Sequence, residues 1–161
     1  MEVLDIYDDL GHKTGKTNIR GTKVEGGNVM IALAIIKNSK GEFLIQKRSK
    51  IKNGDFGFTG GHVMHGEDSL TAIQREVKEE LGVILDKSSI KYVAMDKNPS
   101  RLCLISIYQI DADLNVTNLK LQKEEVENVA YLDQDNIMKI INANKFLESH
   151  AFVFKKYFAN K

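Results

Sequence analysis

The 161-residue sequence holds one cysteine, one proline and no tryptophan. The lone Cys103 excludes an intrachain disulfide and any zinc site built on several thiolates, as expected of a protein in a reducing compartment such as the cytoplasm. Proline occurs only at Pro99 and the glycines are scattered, so no stretch has the composition of a linker. An excess of charge is missing too: 23 Lys+Arg face 22 Asp+Glu, a formal net charge of +1. No whole-molecule field therefore draws the chain to polymeric nucleic acid or to anionic lipid, although a local basic site is compatible with this balance. The longest apolar run, Val29–Ile36, falls far short of the roughly 20 residues that span a bilayer. The opening Met1-Glu2-Val3-Leu4-Asp5 lacks the basic-then-apolar order of a signal peptide. What remains is globular composition, 42% apolar and 28% charged, at a length that predicts one core and one domain over residues 1–161.

Val29–Ile36 is short, rich in β-branched residues and bounded by Gly26-Gly27 and Asn38-Ser39-Lys40-Gly41. It predicts a strand buried on both faces, with Phe43–Lys47 returning beside it as a hairpin. Arg101–Asp111 alternates with apolar residues on both faces and predicts a second central strand. Shorter strands are expected at Val3–Tyr7, Lys91–Met95 and Val126–Leu132, and helices at Asp135–Asn142 and Leu147–Phe158. The clearest helix is Ser69–Leu81, where Leu70, Ile73, Val77 and Leu81 make one apolar stripe. Glu67 and Asp68 stand at its positive end, and Gly82 supplies a left-handed cap. The mixture predicts an α/β or α+β fold around a mixed sheet.

On that helix Glu76, Glu79 and Glu80 stand at i, i+3 and i+4, so their carboxylates are expected on one face, away from the apolar stripe. Clustered like charges repel, and a hard divalent cation such as Mg²⁺ or Mn²⁺ would relieve them through oxygen ligands. The alternative is a solvated acidic face screened by Arg75 and Lys78. The surrounding spacing decides between them. Gly61, Glu67, Arg75-Glu76-Val77, Glu79-Glu80 and Gly82-Val83 are separated by five, seven, one and one residues. A chance match to so many specified positions is rarer than about one in a million. The stretch resembles the signature of the Nudix hydrolases at every specified position.

That resemblance implies an α/β/α sandwich around a mixed β-sheet, with residues 60–83 as a loop–helix–loop that holds divalent cations. It implies hydrolysis of a small-molecule substrate, a nucleoside diphosphate linked to another group, by attack of water on phosphorus. Glu76, Glu79 and Glu80 match the family's metal-binding and base-providing carboxylates, and the Gly60 carbonyl matches a backbone metal ligand. Arg75 and Glu67 match a pair that orients the catalytic helix. The general base varies within the family; here the order is Glu79, Glu76, then a late cluster of Glu124, Glu125 and Glu127. Homodimers are frequent in the family, so a homodimer is compatible with the resemblance.

The opening Leu4–Gly15, Arg20 and the run Asn38–Arg48 resemble the isopentenyl-diphosphate-isomerase branch of the same superfamily. This implies an N-terminal strand extension over residues 1–27 and makes Lys47 and Arg48 candidate phosphate contacts. The isomerase's cysteine is missing from the loop before the motif, which reads Phe58-Thr59-Gly60-Gly61-His62, and Cys103 is expected as a small buried apolar residue. Phe58, and Phe56 beside it, are expected at the cleft mouth, stacking on a substrate or packing the loop. His62 and His65 are expected to face solvent, and the C-terminal aromatics to pack on the core. Hydrolysis is the leading expectation; an isomerase and a non-catalytic nucleotide-sensing module are the alternatives.

Overall fold

The computed structural model describes residues 1–160. Its chain begins with a hairpin, β1 (Val3–Tyr7) and β2 (Lys13–Ile19), forming a two-stranded sheet of its own. Both faces of β1 are covered, Leu4 and Ile6 in one buried cluster and Tyr7 in another, while β2 is almost wholly exposed. The hairpin is pinned to the rest of the molecule by Asp5, whose carboxylate accepts from the Gly66 N–H (3.0 Å) and bonds His65 Nδ1 (2.7 Å).

A mixed seven-stranded sheet carries the core. Its centre is β3 (Val29–Lys37); the other strands are β4 (Phe43–Arg48), β5 (Phe56–Gly57), β6 (Thr59–His62), β7 (Ile90–Lys97), β8 (Cys103–Asp111) and β9 (Val126–Leu132). Strand β3 runs parallel to β8, with Val29 opposite Cys103, and antiparallel to β6, with Leu33 opposite Gly60. The hairpin expected between β3 and β4 is nearly absent, since they share only the Lys37–Phe43 register pair. Both edges of β3 are taken by β6 and β8, so β4 diverges and pairs β9 and β5 instead.

The two faces of β3 sort the helices. Met30, Ala32, Ala34 and Ile36 pack with α1 (Ser69–Leu81), whose Ala72, Ile73, Val77 and Leu81 are fully buried. Leu33 and Ile35 join Phe43, Phe58, Phe146 and Phe154 beneath α2 (Gln134–Asn142) and α3 (Glu148–Tyr157). Each such large side chain contributes about 1.5–3 kcal/mol of burial free energy. The result is the α/β/α sandwich around a mixed sheet that the family resemblance implies. Helix α1 starts at Asp68, whose side chain accepts from the Thr71 N–H at 2.7 Å, and stops at Gly82, in the left-handed region at φ 71°.

Candidate active site

The three glutamates of α1 occupy three different environments. Glu80 is 5% exposed, and its carboxylate accepts from the Gly60 N–H (3.0 Å) and from Gln46 Nε2 (3.1 Å). Burial pushes its carboxyl up to about 8 despite those two donors. The expectation that all three carboxylates turn away from the apolar stripe is thus corrected. Glu80 is three residues beyond Val77 and seven beyond Ile73, so helical periodicity places it on the stripe's own edge. Glu76 is mostly buried, which raises its carboxyl above the usual range against the pull of Arg75. Glu79 has a side chain 47% exposed and is the freest of the three.

Arg75 ties the loop to the helix. Its guanidinium forms a two-point pair with Glu67 (2.6 and 3.2 Å), reaches Glu76 (2.8 Å) and Glu79 (3.3 Å), and donates to the His62 carbonyl at 3.0 Å. Glu67 in turn accepts from the Met64 N–H at 2.8 Å, so one ion pair fixes both ends of the loop. The neighbouring glycines leave the room this needs. A Cβ on Gly61 would collide with the Glu76 carboxylate, and one on Gly60, at φ 157°, with the Ala32 carbonyl oxygen.

These groups form one wall of a cavity of about 990 Å³. Arg48 lines it and Lys47 does not. Side chains alternate along a strand, so Gln46 and Arg48 face the cavity while Lys47 faces the other way, 3.1 Å from Glu127. Lys47 is therefore corrected as a phosphate contact. Of the late carboxylates only Glu125 lines the cavity, paired with Lys52 at 3.4 Å; Glu124 and Glu127 do not. Phe58 is corrected too. It is 1% exposed, and its ring packs against Phe146, His150 and Phe154, leaving no face for a substrate. His62 sits on β6 against the cavity rather than in solvent, and burial brings its pKa down to about 4. Cys103 is buried as expected, its thiol pushed up to about 11 by desolvation, which leaves it protonated near neutral pH.

Lining residues not expected from the sequence include Arg20 from the connection after β2 and His150 from α3; Asn98 and Arg101 join them from the β7–β8 loop. They are distant in sequence, and only the sheet's connectivity gathers them. The ion pair of Arg20 with Glu2 (2.6 Å) brings the N-terminal extension to the cavity rim.

The donor set suits a hard cation: carboxylates and a backbone carbonyl, with no thiolate in reach to lose its proton near neutral pH. Among the described residues no three His, Cys, Asp or Glu side chains are gathered as a ready-made cation site, and Arg75 is the positive charge that Glu67, Glu76 and Glu79 share. The raised carboxyls of Glu76 and Glu80 mark a place where added positive charge is favourable.

A NUDIX domain model matches residues 28–152. An uncharacterized Nudix hydrolase of Listeria monocytogenes is 32% identical over 152 residues, covering 91% of this chain and 89% of the relative. The crystal structure of DR0079 from Deinococcus radiodurans superposes with a TM-score of 0.82 at 22% identity, over 98% of this chain and all of that one. A bifunctional NMN adenylyltransferase/ADP ribose pyrophosphatase of Francisella tularensis, solved with AMP and a manganese ion, matches with a TM-score of 0.60 at 17% identity. That match covers 82% of this chain and 42% of the other. The chain belongs to the Nudix family, and within it to the hydrolases, as a pyrophosphohydrolase.

Proposed function

We propose that the chain hydrolyses the diphosphate linkage of a nucleoside diphosphate derivative or a related organic diphosphate, with Mg²⁺ or Mn²⁺, by attack of water on phosphorus. The observation that carries this reading is the Arg75–Glu67 clamp, which fixes Glu76 and Glu79 beside the Gly60- and Gln46-bound Glu80 along one wall of a cavity large enough for such a molecule. Glu76, Glu79, Glu80 and the Gly60 carbonyl would hold the cation. When bound, the cation polarises the diphosphate and lowers the pKa of a coordinated water.

The chain's own residues do the rest. Glu79, the most accessible of the glutamates, accepts the proton of the attacking water, with Glu76 and then Glu125 next in order. Arg75 holds the carboxylates in place, and Arg48 neutralises charge on the departing side. The manganese and AMP of the Francisella neighbour lend support to the metal and to a nucleotide-like ligand. No helix among the described residues is long and apolar enough to cross a membrane. A cytoplasmic setting completes the reading. Its test is a panel of nucleoside triphosphates, sugar nucleotides, dinucleotides and isoprenyl diphosphates, with and without Mg²⁺ or Mn²⁺. Metal-dependent cleavage of one class, lost in both Glu79→Gln and Glu80→Gln, is the expected result; full activity in both variants contradicts it.

A further inference from the structure

The cavity extends past the glutamates to the start of α3 and the β7–β8 loop, where its lining changes character. His150 is 8% exposed, and its Nδ1 accepts from the Phe58 N–H at 3.0 Å. The neutral ring therefore carries its proton on Nε2, and no protein group accepts from it among the described residues. Asn98 is 7% exposed and repeats the pattern: its Oδ1 accepts from the Ser100 N–H (2.9 Å) and Oγ–H (3.2 Å), while its Nδ2 has no acceptor. Asn28 Oδ1 is the only fully enclosed side-chain nitrogen or oxygen without a partner among the described residues. The unused donors of His150 and Asn98 are therefore not fully enclosed, and both residues line the cavity.

The surroundings add positive potential. Helix α3 begins at Leu147 with no side-chain cap, so its first N–H groups lack acceptors at the end where Leu147, Ser149 and His150 meet the cavity. Glu148, the one acid of that turn, points to Ser100 Oγ at 3.2 Å and does not line the cavity. Arg48 and Arg101 line it without a carboxylate within ion-pairing distance among the described residues. Burial, reinforced by the charge of Arg48, holds the His150 pKa down at about 3, so the ring donates as a neutral group. Phe58 is the one Phe, Tyr or Trp of the lining among the described residues, and its ring is covered by Phe146, His150 and Phe154.

We propose that the His150 Nε2–H, the Asn98 amide N–H groups, the open start of α3 and Arg101 form a subsite for an oxyanion on the substrate's far moiety, separate from the diphosphate that is cleaved. The preferred substrates are then organic diphosphates carrying a further phosphate or carboxylate. The inference rests on the hydrolase reading for the cleaved linkage, but its test does not require cleavage.

Matched compounds separate the effect of the distal anion. NADPH differs from NADH by a ribose phosphate, and UDP-glucuronate from UDP-glucose by a carboxylate. Titration calorimetry on the full chain, with no divalent cation added, is expected to show one anion-bearing member binding about tenfold more tightly than its partner. The favoured pair tells phosphate from carboxylate. The preference should collapse in Arg101→Ala, an exposed loop position, and in His150→Asn, which keeps an acceptor for the Phe58 N–H but loses the Nε2 donor. Pairs that bind within twofold of one another, or a preference that survives both variants, would overturn the subsite. Metal-dependent cleavage without anion preference sinks the subsite and leaves the hydrolase standing; anion preference without cleavage does the reverse.

Discussion

At the scale of single residues, the site depends on where each carboxylate lies more than on how many there are. Glu79→Gln removes the accessible proton acceptor and is expected to lower kcat by about 10²–10⁴-fold with the melting temperature unchanged. Arg75→Lys keeps the charge and loses the two-point grip on Glu67, so turnover should fall about tenfold while the protein stays folded. Steady-state kinetics beside a thermal melt checks both. The three glutamates of α1, Arg75, Glu67 and the paired glycines were legible in the sequence because the motif fixes their spacing along one loop and one helix. Lys47 was misread because adjacent strand residues point to opposite faces, a rule that applies as soon as β4 is recognised. Phe58 was misread because only the packed α3 reveals that its ring is covered.

At the scale of elements, α1 is the part most fully specified by local sequence. Its stripe, its Asp68 cap and its Gly82 stop all agree with one helix. Asp68→Ala leaves the Thr71 N–H without its acceptor and should cost about 1 kcal/mol of stability, read from chemical denaturation. The β3–β4 pairing illustrates the opposite case. Two apolar runs with a Gly turn between them read as a hairpin, yet β6, whose Thr-Gly-Gly-His sequence has no strand signature, takes the edge of β3. Long-range pairing of this kind is invisible to a window of neighbouring residues. The terminal helices were legible to within a residue or so at each end because their aromatic and aliphatic spacing is strong.

At the scale of the whole molecule, the sheet gathers a cavity from the N-terminal extension, β4, β6, α1, the β7–β8 loop and α3. Composition indicated one domain and no field for nucleic acid or lipid, but nothing in it foretold that Arg20 and His150 would meet the same space. Global stability should carry a signature of the buried His150. Its pKa is about 3 folded against an ordinary 6.5, so the unfolded chain binds an extra proton between those values. The contribution of this one group is therefore complete above about pH 6.5 and is lost on acidification, by about 1.4 kcal/mol per pH unit. Denaturant titrations at pH 5, 6 and 7 should show that slope reduced by about one proton in His150→Asn.

The proposed reaction is attack of water on phosphorus within the cavity walled by Glu76, Glu79 and Glu80. The most direct measurement is turnover in ¹⁸O-labelled water with Mg²⁺, followed by mass spectrometry of the products of whichever diphosphate the panel identifies. One ¹⁸O is expected in a phosphoryl product and none in the organic group it leaves. Label on carbon, or rearrangement of the substrate with no phosphate bond broken, would contradict it.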